Sequence, residues 1–75
     1  MGDVKQLEYE VVLARHQHEY AIEKWCTEQF GARWSPVGNR HGRWTVFWAG
    51  TERPKEYRWC FATEQDAVWF ALRWA

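Results

Sequence analysis

The sequence predicts an α+β domain, with two helices packed on one face of a small, mostly antiparallel sheet and the element order β-α-β-β-β-α. Several short segments alternate apolar and polar residues, as half-buried strands do. Two longer segments carry apolar residues at spacings of three and four, which indicates amphipathic helices. With 75 residues, the chain has room for one domain, 1–75, and one hydrophobic core.

The N-terminal part predicts one strand followed by one helix. In residues 7–13, four apolar side chains fall on the same side of a strand: Leu7, Tyr9, Val11 and Leu13. From about His18 to Phe30, five apolar residues recur on one helix face: Ala21, Ile22, Trp25, Cys26 and Phe30. Gly31 then ends the helix, because glycine is favoured just after the last helical residue.

Three further strands are predicted before the last helix. Residues 33–37 predict a short edge strand, since Pro36 cannot donate to a central ladder. A turn at 38–42 contains two glycines and one asparagine. The next two strands, 43–49 and 57–62, are separated by a connection at 50–55. Their predicted inner residues are Trp44, Val46 and Trp48, then Tyr57, Trp59 and Phe61.

The last helix begins after Thr63, which is a favoured N-cap residue, and runs to the C-terminus. Asp66 stands at the third helical position, as in a capping box. One apolar stripe is sufficient to pack on the sheet: Ala67, Phe70, Ala71 and Trp74.

The same helix carries a second set of apolar residues, and these are the candidate partner-binding residues: Val68, Trp69 and Leu72. A domain of this size has few elements with which to cover a second side. Either the first helix packs there, or the residues form a contact surface for another protein or a second copy. Trp69 is the strongest single candidate, because tryptophan is enriched at interface hot spots.

Charge distribution raises an alternative function. Residues 1–31 have a net charge of −3 and residues 32–75 a net charge of +3, so that the whole chain is neutral. Arginine precedes tryptophan four times, which predicts a row of guanidinium groups on the outer sheet face, either simply solvated or anion-binding. Basic groups and rings on a sheet are typical of single-stranded nucleic-acid binding. The residues predicted for that alternative are Arg43, Phe47 and Arg58.

Enzymatic and metal-binding motifs are missing from the sequence. Ser35 is the only serine and lacks a nucleophile-elbow context, and no phosphate loop or dinucleotide fingerprint occurs. The histidines and the two cysteines do not have zinc-ligand spacing. We therefore expect a non-enzyme with no catalytic residues, no metal, no cofactor and no small-molecule substrate. Neither a signal peptide nor a membrane span is predicted, so a cytoplasmic location is expected.

The C-terminal stretch from Cys60 to Trp74, CFATEQDAVWFALRW, resembles small proteins of tailed bacteriophages. In those proteins a strand ends in Phe-x, an acidic helix start follows, and the helix reads Asp-Ala-x-x-Phe-x-Leu-Arg-Trp. The resemblance covers about fifteen residues and mostly encodes a strand–cap–helix junction. It carries no established activity. It implies a phage-encoded protein that binds a host protein stoichiometrically in the host cytoplasm.

Overall fold

The computed structural model describes residues 7–14, 19–48 and 56–75, and only the backbone of Trp48. It contains two helices and a three-stranded sheet, in the order β1 (Tyr9–Ala14), α1 (Glu19–Phe30), β2 (Trp44–Trp48), β3 (Glu56–Phe61) and α2 (Glu64–Trp74). The predicted α+β class and succession of elements are confirmed, with residues 33–37 contributing only the bridge between Ser35 and Asn39. The predicted connection at 50–55 lies outside the described residues.

The sheet is antiparallel, and β3 lies at its centre in the order β1-β3-β2. Val11, Trp59 and Val46 are aligned across the three strands on one face. Val12, Arg58 and Phe47 are aligned on the other. Both helices cover the first face. The second face has no covering helix among the described residues, and we call it the open face.

The core lies between the helices and the inner face of the sheet and is mainly aromatic. Phe70 of α2 is fully buried, with its ring 5.3 Å from that of Trp59 and 5.0 Å from that of Phe61. Phe30 of α1 lies 5.5 Å from Phe61, so both helices meet β3 through rings. Each enclosed ring removes about 150–250 Å² from water. Large side chains thus compensate for the small size of the domain.

The loop between α1 and β2 folds back against β2. Gly31 has a φ of +94°, and its carbonyl accepts a 2.8 Å hydrogen bond from the indole of Trp44. Because Ser35 Oγ accepts from the backbone N–H groups of Val37 and Gly38, the chain turns where a strand was predicted. Gly42 passes so close to the backbone of Trp34 that a Cβ would lie 2.4 Å from its Cα. The loop is therefore held in one place beside the sheet.

Candidate functional site

Three neighbouring apolar side chains of α2 are exposed to solvent. Val68 and Trp69 are each 51% exposed and Leu72 is 77% exposed, whereas Ala67 and Phe70 on the same helix are buried. We call Val68, Trp69 and Leu72 the helix patch. The core stripe predicted from the sequence is confirmed, and the described residues leave at least half of each side chain on the second apolar side exposed.

Trp25 of helix α1 contacts the helix patch. Its ring stacks on that of Trp69 with 6.5 Å between centroids and 26° between planes. The same ring makes an edge contact with Trp74 at 6.1 Å. One side of Trp69 is therefore supported while about half of its surface stays exposed. A ring that is already held in place loses little conformational entropy when a partner packs against it.

A groove of about 610 Å³ runs beside the helix patch, between α2 and the end of α1. Its apolar walls are the patch itself and Phe30. Polar groups line the remainder: Gln29, Arg43, Glu64, Gln65 and Asp66. A concave apolar surface with a few polar groups is the usual form of a binding site.

Arg43 and Asp66 form an ion pair within this groove. Arg43 donates from Nη2 to both carboxylate oxygens, at 2.9 and 3.0 Å, and from Nε to one of them at 3.1 Å. The Asp66 side chain is 9% exposed and that of Arg43 53% exposed. The guanidinium also lies 5.5 Å from the ring centre of Phe30. A buried carboxylate requires such a partner, since desolvation without one is costly.

The placement of Arg43 corrects a sequence prediction. Arg43 was expected on the outer sheet face, but β2 begins only at Trp44 and the guanidinium lies among helix residues. Asp66 offers its backbone N–H to Thr63 Oγ1 at 3.1 Å, as expected for an N-cap. Its carboxylate, however, binds Arg43. The periodicity of the sequence cannot predict this ion pair, because Arg43 and Asp66 are 23 positions apart.

Arg58 and Phe47 do lie together on the open face. They are directly opposite each other in the β2–β3 register, and Phe47 is 51% exposed. Arg58 Nη1 lies 4.0 Å from a carboxylate oxygen of Glu10 on β1. The structure therefore brings two of the three residues predicted for nucleic-acid binding together and separates Arg43 from them.

The four Arg-Trp pairs alternate as predicted but do not form one row. In each pair the arginine is exposed and the tryptophan is buried or half-buried. Only Arg58 belongs to the open face. Arg33 lies in the loop, Arg43 binds Asp66, and the Arg73 guanidinium lies 4.0 Å from the ring centre of Trp74 on α2. The predicted row of guanidinium groups is wrong, because three of these arginines lie outside the strands.

The two cysteines are buried free thiols. Burial, with a smaller contribution from Glu23, raises the pKa of Cys26 to about 12. Burial and then Glu10 raise the pKa of Cys60, against an opposing effect of Arg58. Both thiols stay protonated at neutral pH and are weak nucleophiles.

Within residues 7–14, 19–48 and 56–75, no cluster of three or more metal-ligating side chains occurs. His16 and His18 lie outside the described residues. None of the described helices has the length and apolar character needed to cross a membrane.

Comparisons with protein-family models, with curated proteins and with solved structures find no significant match for this chain. The resemblance to small phage proteins therefore stays a prediction.

Proposed function

We propose that this protein is a non-enzymatic binding module that docks a partner protein through the helix patch and the adjoining groove. The observation that carries the proposal is the exposure of Val68, Trp69 and Leu72 side by side, with Trp69 supported by Trp25. Exposed apolar clusters of this kind mark interaction sites, and tryptophan is a frequent hot spot in them.

The groove suggests how a partner is held. An apolar side chain of the partner enters between Phe30 and the helix patch, where it is removed from water. Arg43 lies beside this position with a half-exposed guanidinium, and its Nη1 atom has no hydrogen-bond partner among the described residues. A carboxylate of the partner would bind there. An apolar centre with a charged group at the rim is the common anatomy of protein interfaces.

A second copy of this chain is the alternative occupant of the helix patch. A stable dimer buries about 800 Å² on each partner, more than three side chains supply, so the groove walls would have to take part. If the chain is phage-encoded, as its C-terminal stretch implies, the partner is instead a host protein in the host cytoplasm.

The proposal is tested with matched aspartate variants. Leu72→Asp places a charge in the helix patch, whereas Val37→Asp places one in the loop, where Val37 is 92% exposed. Affinity capture from the producing cell, followed by measurement of stoichiometry with the purified partner, should show a one-to-one complex for wild type and Val37→Asp. Leu72→Asp should lose it.

Sedimentation of the same proteins examines self-association. A wild-type dimer that Leu72→Asp converts to a monomer would make the partner a second copy. Equal capture by both variants, or no complex of either kind, would contradict the proposal.

A further inference from the structure

A second groove lies at the β2 edge of the sheet and shares no residue with the helix patch. It has a volume of about 300 Å³ and is formed by the loop after α1 and by β2. We call it the loop groove, and its lining includes Arg33, Trp34, Pro36, Thr45 and Phe47. Its position is fixed by backbone pairing: the N–H of Trp34 donates to the carbonyl of Trp44 at 2.7 Å.

Two aromatic rings line the loop groove. Phe47 projects from β2 on the open face and is 51% exposed, and Trp34 is partly exposed. Neither ring belongs to the buried core cluster, although the indole nitrogen of Trp34 is enclosed. Exposed rings on a sheet are the surfaces on which unpaired bases stack, regardless of base identity.

The charge around the loop groove is positive. Residues 31–48 contain three arginines and one histidine and no acidic residue. Within the described part of the chain, Arg33 and Arg40 form no ion pair, in contrast to Arg43. The carboxylate of Glu10 belongs to β1, at the opposite edge of the sheet, where it faces Arg58. Among the described residues, no carboxylate lines the loop groove.

We propose that the loop groove binds single-stranded nucleic acid, with a base stacked on Phe47 and Trp34 and the adjoining phosphate held by Arg33. The rings and the cation belong to one concave surface, and the local charge is complementary to a phosphate backbone. This function is separate from partner binding at the helix patch. Arg33 takes the place that the sequence had assigned to Arg43.

The experiment follows the anisotropy of a fluorescein-labelled oligothymidylate of about twelve nucleotides, a length within the range of small single-strand sites. Binding should weaken steeply between about 50 and 200 mM salt. Phe47→Ala should weaken it about tenfold, and Phe47→Tyr, which keeps the ring, should restore it. Arg33→Gln should reduce the slope of log K against log salt by about 0.7, and Arg33→Lys should recover that slope.

Two controls separate the loop groove from general effects. Val12→Ala removes an exposed apolar side chain from the β1 side of the open face, and Lys24→Gln removes one exposed positive charge from α1. Both should bind the oligonucleotide like wild type. Leu72→Asp should as well, which distinguishes this site from the helix patch.

The proposal is overturned if wild type does not bind the oligonucleotide, or if Phe47→Ala and Arg33→Gln bind it as wild type does. It is also overturned if an oligoglutamate peptide occupies these residues and the oligonucleotide does not. Circular dichroism melting of every variant shows whether a loss of binding comes from the site or from unfolding.

Discussion

The two helices have nearly the same length, 12 residues in α1 and 11 in α2, yet they use their surfaces differently. Each has three buried residues: Ile22, Cys26 and Phe30 in α1, and Asp66, Ala67 and Phe70 in α2. Outside its buried face α1 is mainly charged and polar. The outer side of α2 carries the apolar helix patch beside Glu64, Gln65 and Arg73. Helix α1 thus packs on the sheet with a mainly polar exterior, whereas α2 keeps Val68, Trp69 and Leu72 exposed.

The largest expected effect comes from the buried stripe of α2. Phe70→Ala leaves a cavity among Trp59, Phe61 and Trp25, and it should lower the free energy of unfolding by about 3–5 kcal/mol. Chemical denaturation monitored by tryptophan fluorescence gives the value. Ile22→Ala, the matched change in α1, should cost about 2–5 kcal/mol. A small loss at Phe70 would mean that α2 is not docked through this stripe.

The next effect concerns the polar contact at the first turn of each helix. Arg43→Gln removes the cation from the buried carboxylate of Asp66 in α2, and we expect a loss of about 2 kcal/mol. At α1, the hydroxyl of Tyr57 donates to a Glu19 carboxylate oxygen at 2.9 Å. Tyr57→Phe removes that donor and should cost about 1 kcal/mol.

The denaturant midpoints of Arg43→Gln and Tyr57→Phe show which of the two contacts stabilises the fold more. A larger loss in Tyr57→Phe than in Arg43→Gln would contradict the expectation that removing a cation from a buried carboxylate is the costlier change. Arg43→Lys is the control for charge alone, because lysine cannot form the bidentate contact.

Alkaline pH should weaken the attachment of α1. The pKa of Cys26 is raised from 9.0 to about 12 in the folded chain, so the unfolded thiol ionises first. The raised pKa has no effect on stability below pH 9, and stability then falls by about 1 kcal/mol per pH unit until the folded thiol ionises. Denaturation between pH 8 and 10 measures the slope, and Cys26→Ala should make it shallower. An unchanged slope would show that this thiol does not contribute.

The smallest expected effect is at the helix patch. Leu72 is 77% exposed, so Leu72→Asp should change the free energy of unfolding by no more than about 0.5 kcal/mol. Thermal melting at low protein concentration, where any dimer is dissociated, is the appropriate measurement. Ala21→Asp, at an exposed position of α1, is the reference. A large destabilisation would mean that the patch supports the fold and is not kept for a partner.

Local sequence patterns are sufficient to predict most of the fold. Apolar spacing identified both helices and most of their buried sides, but Ala21, which was placed on the apolar face of α1, is exposed. Thr63 caps the start of α2 and Gly31 follows the end of α1, as expected. Alternation identified Trp44, Trp59 and Phe61 as inward residues, all of which are buried. These features depend on residues a few positions apart, where backbone geometry alone decides which side chains share a face.

The candidate sites were only partly predictable. The helix patch is predictable, because helical periodicity shows that α2 has more apolar residues than one buried stripe needs. The loop groove did not, because Trp34 and Phe47 meet only when the loop turns back at Ser35. Cys60 shows the same limit: it is on the outward side of β3, as predicted, and is nevertheless only 6% exposed.

The amino-acid order alone determined both helices, the three strands of the sheet, the caps at Thr63 and Gly31 and the excess of apolar surface on the last helix. Each of these arises from neighbours along the chain. Tertiary structure decided the strand order β1-β3-β2, the pairing of Arg43 with Asp66 and the stacking of Trp25 on Trp69. Those contacts join residues that are far apart in sequence. Which distant residues come into contact depends on packing and desolvation in the assembled core, and no local sequence pattern encodes that selection.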